Sequence, residues 1–362
     1  MTATPQQVWD RLRAAGVVDG DAPPPLAHSS PWYVRAMLGI AGWIGALFLL
    51  GFVGAGLAFV FQSASAAAVV GLVAVGGAFL IFHVGGRNDV VSQFGLATSF
   101  AGQVLIGVAV ADAVGEGGIR QGSSFFFVMA VFEALLAVAL NNFVHRVWST
   151  FAACVALGLA MRALGLFGVV PGVVAIALTV LWLSEHQWAA RGSFWRAIGF
   201  GLAFAVIQPD YWSLSQWLFE SRSELLVEPP FWLLWMKPAL VSAALFYAVH
   251  QLLDRHHEGP GGTTWNAAMA AAGLIAVATL NAPGITSSLL LVLLGFATGN
   301  RTLFGVGVVA LLSYLSYFYY SLQATLLMKS VALGLTGMAL LILWGVMRWL
   351  FDDVAGKAAV RA

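Results

Sequence analysis

The segment SSFFFVMAVFEALLAVAL, from Ser123 to Leu140, holds one carboxylate, Glu133, in an otherwise apolar run. A charge inside such a run costs about 2.5–3.5 kcal/mol on insertion scales, which makes it a functional candidate by default. Nine residues separate Glu133 from Ser124 and seven from Leu140, so it lies roughly 10–14 Å from either end of a helix rising 1.5 Å per residue. Ala130, Ala134 and Ala137 fall on its face, which points the carboxyl into a bundle. A carboxyl that can be protonated or paired is what a proton-coupled step requires. The plainer alternative, a fixed hydrogen bond or ion pair joining two helices, stands ahead of it.

Lys329 raises the same question one turn inside the apolar run after Tyr317, Tyr319 and Tyr320. A lysine there can extend its stem and seat its ammonium at the interface. That anchoring role comes first, and membership of a polar cluster second. Asp112 and Arg162 sit near span ends, where they pair with each other or meet headgroups, and Gln103 adds a polar group to a third run. In the cluster alternative, Lys329, Arg162 or Lys237 faces Asp112 or Glu133. A separate candidate is the stretch QPDYWSLSQWLFESRSELLVEPP, from Gln208 to Pro230. It contributes Asp210, Trp212, Trp217 and Arg222, and its leucines recur at the spacing of an interfacial amphipathic helix.

No catalytic set or metal set is visible. The histidines lack HExxH spacing, and neither a phosphate-binding loop nor a nucleophile elbow is present. The single cysteine, Cys154, permits neither a disulfide within the chain nor a CxxC site. The expectation is therefore no metal, no cofactor and, on balance, no enzyme.

The elements that carry these residues follow from composition. Hydrophobic residues make up 60% of the 362 and charged residues 9%, too few charges to cover a soluble surface. Apolar runs near the roughly 20 residues of a spanning helix recur along the chain. They do not alternate as barrel strands would, so the fold class is all-α, a polytopic transmembrane bundle of about 12 spans. The spans are placed near 37–61, 64–84, 94–114, 124–140, 147–164, 167–183, 194–208, 232–253, 265–280, 284–298, 302–320 and 325–351. Residues 1–36 form a cytoplasmic segment with a short amphipathic helix, capped by Thr4 and Pro5 and ended by Gly16. Residues 37–351 form the membrane domain, with an outer loop at 208–231 and an inner linker at 254–264. Residues 352–362 form a cytoplasmic tail.

Orientation comes from the cations. Of 17 lysines and arginines, an inside N-terminus puts twelve on the cytoplasmic side and five on the other. Each inner turn carries arginine: GGRND, NNFVHR, AARGSFWR, DRHHEG and GNRT. Both termini are then cytoplasmic. A formal charge of +1 with no basic run argues against nucleic acid. The GxxxG pairs Gly168–Gly172 and Gly295–Gly299 point to close helix approach.

The segment GNRTL to YYSLQATLLMKS, ending at Ser330, together with SPWYVRAMLGIAGWIGALFLLGFVGAG near the front, resembles an uncharacterised family of bacterial multi-pass inner-membrane proteins carrying a domain of unknown function. The resemblance places Lys329 within a family pattern and implies a bacterial inner-membrane location. It also implies a small membrane or periplasmic protein as partner, and it conveys no reaction. The leading expectation is a transporter-like protein or a membrane component of an envelope complex. In transport, Glu133 would couple protons or contact substrate, with Lys329 as counter-charge. The rivals are an enzyme acting on a lipid-linked substrate through Asp210 and Arg222, and a scaffold without chemistry.

Overall fold

The computed structural model describes residues 5–16, 18, 63–84, 89–121, 123–166, 168–208, 231–255, 262–280 and 283–321, with single positions between Met37 and Gly51 and between Leu327 and Gly345. Lys329, Asp210, Trp212, Trp217 and Arg222 lie outside the described residues, as do the tail 352–362 and most of the loop 208–231, of the linker 254–264 and of the first and last expected spans.

Among the described residues the chain is all-α, with no strand. The helices are α1 (Pro5–Ala14), α2 (Ala64–Val84), α3 (Asp89–Gln121), α4 (Ser123–Ala139), α5 (Phe143–Ala163), α6 (Val169–Leu183), α7 (Gly192–Ile207), α8 (Phe231–Leu234), α9 (Met236–Arg255), α10 (Thr263–Ala278), α11 (Pro283–Ala297) and α12 (Arg301–Ser321). Four stretches are long and apolar enough to cross a membrane by length and composition: Ala64–Val84, Val91–Gly115, Phe143–Ala163 and Phe231–Arg255. Six shorter apolar helices accompany them. Helices of this character mark a membrane protein in contact with lipid. The helix α1 begins at Pro5 and its chain reverses at Gly16, where φ is 68°.

The chain forms two compact units, Met1–Leu105 and Ile106–Ala362. In the first, α2 buries Ala67, Gly71, Val75 and Ala78 while Val69, Leu72, Val73 and Leu80 are exposed. Small residues face protein and large apolar ones face outward. This reversal of the soluble pattern is the one expected when the surroundings are lipid and helices meet through close backbone contact. Gly102 shows how close: a Cβ there would stand 2.8 Å from the Gly71 carbonyl oxygen.

In the second unit the core joins α6, α7, α9, α11 and α12 around Trp182, Leu178, Val241, Leu290, Leu291, Leu294 and Leu303. In the two GxxxG pairs, Gly168 and Gly299 take positive φ, 74° and 67°, and serve as turn residues. Gly168, Gly172 and Gly295 make close contacts, against Lys237, Leu240 and the Phe304 backbone. The helix α6 ends against side chains as well. Trp188 Nε1 donates to the Leu181 carbonyl at 2.9 Å, and Arg255 donates to that of Leu183.

Candidate functional site

The helices α4 and α5 are joined by the three residues Leu140–Asn142, and the sequence explains the tightness of that turn. Asn142 adopts an extended conformation and its side-chain oxygen accepts from the His145 backbone N–H at 3.0 Å, which caps one of the orphan donors of α5. At the other side of the turn, Arg146 reaches back across the hairpin. Its Nε donates to the Ala137 carbonyl at 2.8 Å and an Nη to the Leu140 carbonyl at 3.0 Å. The last carbonyls of a helix carry partial negative charge, so a guanidinium is a fitting cap there. The Arg146 guanidinium carbon also lies 4.6 Å from the centroid of the Phe194 ring on α7, a cation–π distance.

A turn of this length fixes the register of the antiparallel pair, bringing Glu133 opposite Ser149. Their side chains hydrogen-bond to each other. Ser149 Oγ in turn lies 3.4 Å from His145 Nδ1, one turn back along α5. All three side chains are sealed: Glu133 is 4% exposed, and Ser149 and His145 are fully buried. The second carboxyl oxygen of Glu133, Oε2, has no hydrogen-bond partner, and neither has Thr150 Oγ1 on α5. Thr150 sits where α7 passes closest, since a Cβ on Gly201 would lie 2.5 Å from its Cβ.

The face of α4 that carries Glu133 also buries Ala130, Leu136 and Ala137, while Phe127, Val128, Val131, Leu135 and Val138 are exposed. Glu133 thus points into protein. Ala134, expected on the same face, is exposed, and Leu136 takes that place because the buried stripe follows the contact with α5.

The arrangement has definite chemistry. Ionised, the Glu133 carboxylate accepts from the Ser149 hydroxyl; protonated, it donates to it. The hydroxyl can serve both because His145 Nδ1 is donor or acceptor according to its tautomer. No cation lies within ion-pair distance of Glu133 among the described residues; Arg196 and Glu185 form an exposed ion pair elsewhere, at 2.7 Å. Arg146 is close in sequence, yet its donors go to carbonyls.

Four other sequence candidates lie among the described residues. Arg162 is in the last turn of α5, about 20 Å along the helix axis from Ser149 at 1.5 Å per residue. Lys237, in the first turn of α9, is buried against Gly168, where a Cβ would lie 3.0 Å from the lysine Cβ. Both are therefore at the far end of α5 from the Glu133 contact. Asp112 is exposed on α3. Gln103, in the first unit, is 6% exposed with its Nε2 3.5 Å from Ser99 Oγ. His145, Arg146 and Ser149 were not among the candidates. Sequence reasoning assigns Arg146 to an inner turn by counting cations near span ends, and the counting does not distinguish a solvated arginine from one folded onto a helix terminus. The signal that finds them is the turn itself: with its centre at Asn141, residues whose numbers sum to 282 lie level with each other, and of these 133 and 149 are both on the buried stripes.

No group of three or more His, Cys, Asp or Glu able to hold a metal is formed among the described residues. No curated protein and no solved structure matches the chain. The profile of the family described as Domain of unknown function (DUF4401) matches residues 31–349, nearly the whole length, which agrees with the expected membership of an uncharacterised family. The chain belongs to the DUF4401 family.

Proposed function

We propose that this protein is a multi-pass protein of the bacterial inner membrane, with about 12 spans and both termini in the cytoplasm, and that it is transporter-like, with Glu133 as the carboxyl that takes up and releases a proton. The observation that carries the reading is the state of Glu133 itself: 4% exposed, without a cation among the described residues, with one oxygen bonded to Ser149 and the other unpartnered. A purely structural carboxylate at this depth would be expected to have a cation or a full set of donors, because an unsatisfied buried charge is costly. A carboxyl that alternates between charged and neutral needs neither. It needs one partner able to accept as well as donate, and a hydroxyl is that partner.

The test is proton movement. The full chain is reconstituted in proteoliposomes loaded with a pH-sensitive dye, under a potassium–valinomycin clamp. Proton entry is followed with and without an external mixture of amino acids, sugars and inorganic ions. Wild-type protein is expected to admit protons above the level of empty vesicles, and Glu133→Gln, which keeps the shape but carries no acid proton, to return to that level. Equal entry by the two proteins refutes the role of Glu133; entry no greater than in empty vesicles refutes the transport reading.

A further inference from the structure

We infer that Ser149 and His145 form the proton route of Glu133, opening it toward the α4–α5 turn. The inference rests on the proposed proton-carrying role of Glu133 and names the path that serves it. Three observations support it. Glu133 and Ser149 are in hydrogen-bond contact across the hairpin, and Ser149 Oγ stands 3.4 Å from His145 Nδ1. All three side chains are closed off from bulk solvent. And His145 lies in the first turn of α5, one helical turn nearer the connecting residues Leu140–Asn142 than Ser149, so the contacts run from the middle of the hairpin toward its tip.

The step balances without any co-reactant. The Glu133 carboxyl passes its proton to Ser149 Oγ as the serine hydroxyl proton moves to His145 Nδ1, which must then be the bare nitrogen of the ring. Glu133 is left as carboxylate, Ser149 is regenerated, and the imidazole becomes an imidazolium. A proton lost from the other ring nitrogen, Nε2, toward the turn restores neutral histidine, and reversal of the sequence reloads Glu133. Hydroxyl and imidazole are suited to this because each accepts and donates at once.

Among the described residues, the surroundings hold the route in place. On α4 Glu133 is the sole ionisable group, and α6 has none. On α5 the neighbour is Arg146, engaged with the Ala137 and Leu140 carbonyls and the Phe194 ring. Cys154 and Arg162 lie further along α5, Asp112 on α3 is exposed, and Arg196 on α7 is paired with Glu185. Arg146 is a positioning residue: it ties the end of α4 to the first turn of α5 and so keeps residues 133 and 149 in register.

The experiment measures hydrogen–deuterium exchange at the Glu133 carboxyl by attenuated-total-reflection infrared spectroscopy on full-length protein in proteoliposomes. The carboxyl band is assigned by its loss in Glu133→Gln. Ser149→Ala and His145→Gln are compared with wild type, and thermal stability is recorded for each. The route requires at least a tenfold slowing of exchange in both variants with the band retained. Histidine-to-glutamine keeps a polar side chain but removes the ring that relays a proton, so it remains decisive where Ser149→Ala does not fold. Wild-type exchange in either folded variant overturns the route while leaving the role of Glu133 standing. Absence of any Glu133 carboxyl band at every pH overturns both.

Discussion

Replacing Arg146 by methionine tests the hairpin on which the site depends. The guanidinium is 5% exposed and donates to two carbonyls at the end of α4, at 2.8 and 3.0 Å, while its carbon lies 4.6 Å from the Phe194 centroid. Removing it leaves two buried acceptors without donors, at about 1–3 kcal/mol each, and forfeits a cation–π contact worth about 0.5–2 kcal/mol. Methionine fills much of the space and removes the cost of holding a cation out of water, which offsets roughly half of the loss. The net effect expected is about 1–4 kcal/mol of destabilisation. Reversible unfolding in mixed micelles of mild detergent and SDS, followed by tryptophan fluorescence, reads it. Arg146→Lys should recover less than half, since a point-charge ammonium reproduces neither the two-carbonyl fork nor the ring contact. A loss below about 0.5 kcal/mol would mean that Arg146 points to solvent, as an ordinary surface arginine would, and the reasoning about the turn would fail.

Three further outcomes are expected. Gly201→Val should lower thermal stability by the equivalent of about 1–3 kcal/mol, because a Cβ there meets Thr150 Cβ at 2.5 Å and the Val147 carbonyl oxygen at 2.7 Å; Gly305→Ala, with open space, should be near neutral. In a Cys154→Ser background, cysteines at 133 and 149 should join on mild oxidation while cysteines at 134 and 149 should not, and the reverse pattern would refute the register. Single cysteines beside Arg87 and Arg301 should both react with a membrane-impermeant maleimide only from the cytoplasmic side; reaction from opposite sides would overturn the span count and orientation.

The helices were legible in the sequence because lipid-facing segments announce themselves by length and apolarity alone. The expected span 64–84 coincides with α2, and that at 124–140 is offset by one residue at each end from α4. Glu133 was legible for a related reason, as the one acid in an apolar run. Its partners were not. Arg146 and His145 sit where cations are counted as loop markers, and α5 starts at Phe143, four residues before the expected position, because Asn142 caps it and Arg146 folds back onto α4 rather than into water. Arg162 and Lys237, read from the sequence as possible counter-charges, lie at the other end of α5 from Ser149, a separation along the helix axis that apolar runs alone do not reveal. The close approach read from the GxxxG motifs holds at Gly168, Gly172 and Gly295, while the positive φ of Gly168 and Gly299 was not legible, since a glycine needed for positive φ and one needed for close approach read alike in one dimension.

The claim that everything else leans on is that Glu133 gains and loses a proton inside the protein. Infrared difference spectra of the full chain in lipid, recorded across pH for wild type, Glu133→Gln and Ser149→Ala, examine it directly. The expected result is a pH-dependent carboxyl band that disappears in Glu133→Gln and shifts in frequency in Ser149→Ala, where the hydrogen-bond partner is gone. Identical spectra for wild type and Glu133→Gln at every pH would contradict it.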